Sequence, residues 1–526
     1  MAFLTLLYLL TPLIGVIGLT KPMILRHNSN VRDRVLVFSG DELFSFIPSM
    51  DDYNMPNELL GEPFLKFEPL SPKPGSWTVT GEEVHENEVI ILAGSLTIGS
   101  GGNLTLINCT LLVKYTYTVG GIYVESGGEL NIIRGSNITA YDPEHGYYFK
   151  VYGVLRVEDS FISRCIDGLQ LLTHEGVLLK NTTINNNDYY GVYCRSSSDI
   201  VISDCDISGN EEIGIYCEFS SNVTISGCRM SGYSEDGVRC VQSSNITVLN
   251  CSINNNGNCG VYCKSSSDIT ISDCEIRHNG YDGVYCGYSS GITISGCKIS
   301  SSSGHDIYGG CSVECYYSSD ITISDCEMGN NGQYGVNCVE SSSITISDCE
   351  IRNNDQCGVY CGYSFNVIIS RCKISDNGGY VLGTGGVYYL NSSNIIISSC
   401  EIIDNSLDGV ICDYSSSNVT ILDCSISSNK KCGVFCLESF DVTISRCEIY
   451  NNTDCGVILA SSTHPSVLEI HYCNIYSNGG HGVYNQGAVG VALVNASHCW
   501  WGSPDGPECK AEGDPEDPEE VWGDVI

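Results

Sequence analysis

Apolar residues in the middle of the chain come in short alternating runs. In one stretch Val261, Cys263, Ile269, Ile271, Cys274 and Ile276 are apolar, and Tyr262, Thr270 and Glu275 fall between them. A period of two predicts strands, since a helix would repeat its apolar positions every three or four residues. Gly, Ser-Ser-Ser-Asp and Asn-Gly clusters separate the runs, which predicts three short strands joined at three corners. The pattern then recurs. The tetrapeptide Gly191-Val192-Tyr193-Cys194 has relatives starting at Gly214, Gly237, Gly260, Gly283, Ser312, Gly335, Gly358, Gly386, Gly409, Gly433, Gly456 and Gly482. Most steps are 23 residues, and those of 29, 28, 24 and 26 read as insertions into a fixed frame. Such a period is the signature of a solenoid.

Six inward side chains cannot repay the conformational entropy of ordering a coil, so a single coil does not fold and neighbours must stack. Stacking pairs each strand in parallel with its copy about 4.8 Å above and below. One polar residue repeats at one corner, three residues after an inward Ile or Met: Asn187, Asn210, Asn256, Asn279, Asn331, Asn354, Asn377, Asn405, Asn429, Asn452 and Asn478. Stacked amides can bond to one another and to turn carbonyls, so the column predicts a structural ladder. The expected fold is all-β, a right-handed parallel β-helix with three short strands per 23-residue coil over residues 76–498. Residues 21–75, rich in proline, read as a linker or cap, and 499–526 as a C-terminal cap or tail, with truncation as an alternative.

Charge narrows the partners. Lys+Arg is 25 against Asp+Glu 62, a formal net charge of -37, so phosphate backbones and anionic headgroups are repelled and nucleic acid is excluded as a partner. Phe3 to Leu19 is uncharged and rich in Leu and Ile. It predicts a signal peptide or N-terminal anchor over 1–20, hence an exported, extracellular or cell-surface chain whose contact with a membrane is through that segment alone. Eleven Asn-x-Ser/Thr sequons fit export, although a chain this rich in Asn, Ser and Thr makes them by chance.

Thirty-one cysteines remain to be explained. One column runs through Cys194, Cys217, Cys240 and Cys263 to Cys436, another from Cys205 through Cys228 and Cys251 to Cys473. The favoured reading is a small apolar filler of inward slots. Disulfides between coils are the second, with Cys432 and Cys455, at the same corner of adjacent coils, as the preferred pair. The chain lacks the Cys-x-x-Cys or His-x-His clusters of a closed metal site, so no metal ligand is assigned.

The motif Gly-Val-Tyr-Cys, then Ser-Asp-Ile-Thr-Ile-Ser-Asp-Cys-Glu-Ile (267–276), then Asn-Asn, resembles that of right-handed parallel β-helix repeat proteins. That group includes pectate-lyase-like enzymes and NosD-like periplasmic copper-binding proteins. The resemblance spans roughly residues 76 to 500, and Trp500-Trp501-Gly502 is similar to a terminus common in the group. It implies an outer strand face used as a sugar groove and leaves calcium or copper open as cofactors.

Catalytic motifs should then be departures from the repeat. Asn452-Thr453-Asp454 and Gly480-His481-Gly482 resemble fragments of polygalacturonases, without the paired Asp between them. Asp142-Pro143-Glu144-His145 is a scrambled form of an alginate-epimerase signature. The third candidate is positional. The two largest insertions, roughly Ser300 to Cys311 and Ser375 to Gly385, enter at one corner three coils apart, about 14 Å. The outer face of the first strand elsewhere carries Tyr193, Tyr216, Tyr262, Tyr285 and Tyr360, and between the insertions Glu314 and Asn337. Aromatic faces flanking polar groups suit carbohydrate rings, whereas a column chosen for strand propensity needs no ligand. The expected function is glycan binding, adhesion or envelope scaffolding without catalysis. The alternatives are a polysaccharide lyase, hydrolase or epimerase using His305, Asp306 or Glu314, and NosD-like copper handling. The oligomeric state is not legible.

Overall fold

The computed structural model describes residues 75–502, apart from 115–119, 302–309, 380–383, 462–465 and 487–491, together with the short strands Phe38–Ser39, Glu42–Leu43, Ser71–Lys73 and Val521–Trp522. Residues 1–66 form one unit, in which Phe38–Ser39 pairs antiparallel with Glu42–Leu43. The expected leader, and nearly all of the expected linker, lie outside the described residues. Among the described residues no helix is long and apolar enough to cross a membrane.

The second unit, residues 67–526, is a solenoid of about 17 turns. In the coil read above, the strands are Val261–Lys264, Ser267–Ser272 and Glu275–Asn279. Each pairs in parallel and in register with its copies in the neighbouring coils, giving three sheets, called here sheets 1, 2 and 3 in that order. Val261, Cys263, Ile269, Ile271 and Ile276 face the interior and are fully buried, and Tyr262, Thr270 and Glu275 face outward, as the alternation requires. The corners turn through left-handed residues: in this coil Ser265, Asp268, Asp273 and His278 all have φ between 52° and 54°. That conformation penalises β-branched side chains and tolerates Asn, Asp and Gly, which is why the corners have the composition they do.

The Asn column is a ladder in fact. Asn429 Oδ1 accepts from both the backbone N–H and the side-chain amide of Asn405, at 3.1 and 3.0 Å. Asn429 Nδ2 donates to Asn452 Oδ1 at 2.9 Å and to the carbonyl of Ile402 at 3.2 Å. Two coils lack the Asn and show what replaces it. Tyr233 takes the place in one, and its hydroxyl donates to the carbonyl of Ile207. In the other, Ser312 Oγ donates to the carbonyl of Ile299 at 2.9 Å and accepts from Asn331 Nδ2 at 2.7 Å.

Two further ladders were not legible as such. Ser197, Ser220, Ser243, Ser266 and their successors are buried at the corner between sheets 1 and 2. Their hydroxyls donate to carbonyls, as from Ser220 to Cys194 at 3.1 Å, and most accept the N–H of the preceding serine, as Ser220 does from Ser197 at 3.2 Å. The Cys205 to Cys473 column occupies the corner between sheets 2 and 3. Cys274 Sγ donates to the carbonyls of Ser272 and Val248 at 3.1 and 3.6 Å, and Cys251 N–H donates to Cys274 Sγ at 3.4 Å. Ser136, Ser160 and Thr182 hold the same corner in earlier coils and make the same bonds with oxygen. These thiols are therefore hydrogen-bonded corner residues as well as space-fillers.

Tyr389 replaces a cysteine in the sheet 1 column, between Cys361 and Cys412. It is fully buried and its hydroxyl has no hydrogen-bond partner among the described residues. An unpaired buried hydroxyl costs about 1–3 kcal/mol, so Tyr389→Phe is expected to stabilise the protein by roughly 1 kcal/mol in urea unfolding. A loss of stability would show that the hydroxyl has a partner.

Candidate functional site

The outward positions of sheet 1 form a column in strict register: Tyr193, Tyr216, Arg239, Tyr262, Tyr285, Glu314, Asn337, Tyr360 and Tyr388. Sequence reading found all but Arg239 and Tyr388. Tyr262 and Tyr285 stack with ring centroids 4.9 Å apart and planes 9° from parallel, and Tyr193 stacks on Tyr216 at 5.2 Å. The rings lie down on the sheet. A Cβ on Gly287 would stand 2.6 Å from the Tyr285 hydroxyl, and one on Gly362 2.8 Å from that of Tyr360, so glycine two positions on makes room for each ring. Other hydroxyls are tied to carboxylates: Tyr193 donates to Glu218 at 2.6 Å and Tyr388 to Asp413 at 2.9 Å.

Stacked rings offer a free face only where the stack ends. The Tyr262 and Tyr285 stack has Arg239 over Tyr262 at one end and ends at Tyr285 on the other, beyond which the column carries Glu314; across that interval Tyr334 stacks on Tyr360 at 5.1 Å. Tyr334 precedes Gly335 at a position that varies from coil to coil, and sequence reading missed it. Between these rings Asn337 Nδ2 donates to Glu314 Oε1 at 3.2 Å. Glu314 is half-buried and Asn337 is 8% exposed, and its Oδ1 has no hydrogen-bond partner among the described residues. His305 and Asp306 lie outside the described residues.

The structure adds two residues to Glu314. Asp282 and Cys311 precede Gly283 and Ser312 at the corner leading into sheet 1, and both are buried. Cys311 N–H donates to Asp282 Oδ1 at 2.7 Å. One donor atom from each of Asp282, Cys311 and Glu314 lies within 4.8 Å of the others, and among the described residues this is the one group of three His, Cys, Asp or Glu side chains so placed. Burial pushes the Asp282 carboxyl well above the usual range, and the charge of Glu314 adds to the effect. Asp236 sits at the equivalent corner two coils earlier and accepts the N–H of Cys259 at 2.9 Å, but there Arg239 supplies a counter-charge at 2.6 Å. Asp282 has Tyr285 where Asp236 has Arg239.

The other candidates are less telling. Asn452 is a buried member of the ladder, so its motif is structural. Asp142 and His145 bond to each other at 2.9 Å in an exposed turn. Cys432 and Cys455 are free thiols packed with Ile458 at one corner of adjacent coils. Burial pushes the Cys165 and Cys357 thiols up to about 12. A hollow of about 130 Å³ on sheet 3 is lined by Arg277, Lys298, Glu327 and Arg352, whose charges largely satisfy one another: Glu327 pairs with Arg352 at 2.7 Å and with Lys298 at 3.6 Å.

A profile described as a right handed beta helix region matches residues 94–248, 236–385 and 381–500. No curated protein matches the chain. Among solved structures, the chain is similar to the periplasmic alginate epimerase AlgG, at 13% identity over 74% of this chain and 76% of that one, with a TM-score of 0.27. It is similar to the receptor-binding tailspike of bacteriophage Det7 at 11% identity over 68% and 74%, with a TM-score of 0.33. It is similar to the A-module of the Azotobacter vinelandii mannuronan C-5 epimerase AlgE4 at 14% identity over 76% and 90%, with a TM-score of 0.25. Likenesses this remote concern the winding of the chain and leave its chemistry open.

Proposed function

Starting from the fact that the chain belongs to the right-handed β-helix family, we propose that it is an exported glycan-binding protein whose site is the outer face of sheet 1 between Tyr285 and Tyr360. The observation that carries this reading is the two-residue polar interval in the tyrosine column: Glu314 and Asn337, bonded to each other, stand between aromatic rings and between the two longest insertions, whereas the other break, Arg239, is one residue long and is paired with Asp236. A pyranose ring stacks on an aromatic face and hydrogen-bonds to a carboxylate and an amide, so this interval supplies what one sugar residue needs. The carboxylates around it, with a chain charge of -37, favour neutral glycans over polyuronates.

The test is affinity electrophoresis of the purified chain in gels containing neutral and acidic polysaccharides, with reducing-sugar and unsaturated-product assays run beside it. The expected result is retardation by a neutral glycan, little by polyuronates, and no product. Tyr285→Ala should weaken retention about tenfold, the loss of one well-packed contact of roughly 1.4 kcal/mol. Indifference to every glycan would remove the reading.

A second reading, a polysaccharide-active enzyme, is favoured by one observation: the buried Asp282 carboxyl, which burial raises above the usual carboxylate range, lies beside Glu314, an arrangement suited to general acid and base work. It predicts turnover that disappears in Glu314→Gln. Export to an oxidising compartment also keeps Cys432 and Cys455 as the pair expected to close a disulfide first.

A further inference from the structure

Buried acids need compensation, and the corner column leading into sheet 1 holds three, Asp236, Asp282 and Asp408, of which Asp408 accepts the N–H of Cys432 at 2.9 Å and has the charge of Lys431 near it. Asp236 has its cation in Arg239, which contacts both Asp236 and Glu235. Asp282, 6% exposed, has no such partner among the described residues, and the groups beside it, the Cys311 thiol and the Glu314 carboxylate, carry either no charge or more of the same sign. A second observation lies next to this cluster. Asn337 presents an unpartnered Oδ1, and its amide already touches Glu314 through Nδ2. The structure turns Nδ2 toward Glu314; a half turn of the amide would bring Oδ1 against Glu314 Oε1 instead, a pairing of two acceptors that a cation between them would stabilise.

We propose that Asp282, Cys311 and Glu314 bind one divalent cation of borderline softness, of which zinc is the type, with Asn337 Oδ1 as the fourth donor. Zinc takes four donors at about 2.0–2.3 Å in a tetrahedron, so two donors of one ion stand about 3.3–3.8 Å apart, and the three atoms, all within 4.8 Å of one another, would draw together by no more than about 1.5 Å on binding. Calcium wants six to eight oxygens and has no use for a thiolate, whereas a mixed set of sulfur and oxygen suits zinc. Binding releases the protons of Cys311 and Asp282 to solvent, so affinity falls as the pH is lowered. The ion supplies the counter-charge that Arg239 supplies two coils away and ties the corner at Cys311 to the strand of Glu314. The reading stands whether or not the face holds a glycan, because its readout is the metal.

The experiment uses the full chain, freed of metal by dialysis and titrated with zinc and, separately, with cobalt as a spectroscopic probe. The expected result is one zinc per chain and a thiolate-to-cobalt charge-transfer band. Both should be kept in Cys259→Ser, a control at the same column of a neighbouring pair of coils, and the band should be absent in Cys311→Ser. Glu314→Gln, at a half-exposed position that can keep the Asn337 bond, should lower zinc affinity at least about tenfold, since even partners outside the ligand shell are worth that much. It also serves if Cys311→Ser does not fold. Failure to take up zinc in a one-to-one ratio, a cobalt band that survives in Cys311→Ser, or unchanged affinity in Glu314→Gln would each overturn the proposal. Glycan retention lost with zinc binding intact would instead strike at the proposed function.

Discussion

Asn429→Ala is expected to lower the stability of the solenoid by roughly 2–6 kcal/mol, because it takes a hydrogen bond from three buried groups, two of them at about 1–3 kcal/mol each. Those two are the backbone N–H of Asn405 and the carbonyl of Ile402, while the side-chain amide of Asn405 keeps its bond to the carbonyl of Ile374 at 3.2 Å. Asn452 Oδ1 keeps the Asn429 N–H, at 3.1 Å, and is only weakened. The cost should fall well below that in Asn429→Ser, since Ser312 shows that a hydroxyl near this column can bond to both an inward carbonyl and the next amide. Urea unfolding followed by tyrosine fluorescence checks both. Equal loss in the two variants would mean that the ladder contributes by packing and not by hydrogen bonding.

The second large effect concerns the glycine that opens each coil. A Cβ on Gly335 would stand 2.4 Å from Ile351 Cγ2, 2.5 Å from the carbonyl of Gly358 and 3.0 Å from Asn354 Nδ2. Two of these contacts cannot yield, because one atom is backbone and the other is held in the ladder, so Gly335→Ser is expected to cost more than about 3 kcal/mol, above the usual range for overpacking. One coil has already made the exchange. Ser312 holds the glycine position, and the residue 16 places on, Ile in most coils, is there Met328, whose unbranched stem lacks the offending methyl. Adding Ile351→Met to Gly335→Ser should therefore recover part of the loss, with the Gly358 carbonyl accounting for the rest. Additive losses in the double variant would show that the Ser312 and Met328 pair is unrelated to the clash.

These cases also show where the sequence is transparent and where it is opaque. The 23-residue period, the inward Val, Cys and Ile positions and the Asn ladder repeat identically, so each coil testifies for the others and the winding could be read directly. The Cys274 column looked like one more inward apolar slot because cysteine counts as apolar. Only its hydrogen bonds, and the Ser136, Ser160 and Thr182 that precede it, reveal a corner. Tyr233 broke the Asn pattern and gave no hint that its hydroxyl reaches the carbonyl an amide would reach. At the site, Glu314 and Asn337 were visible as departures from a tyrosine column. Asp282 and Cys311 were not, since they come from different coils, 29 residues apart across an insertion that displaces the frame. Tyr334 was hidden for a related reason: its column has no fixed residue type against which it could stand out.

The polar interval on sheet 1 is the place proposed here for the ligand. Hydrogen–deuterium exchange of the chain with and without the glycan that retards it most tests this directly. Added protection is expected only in the strands Val284–Gly287, Val313–Tyr316, Val336–Val339 and Val359–Gly362 and the corners that lead into them. Protection centred on sheet 2 or sheet 3, or none at saturating glycan, would contradict it.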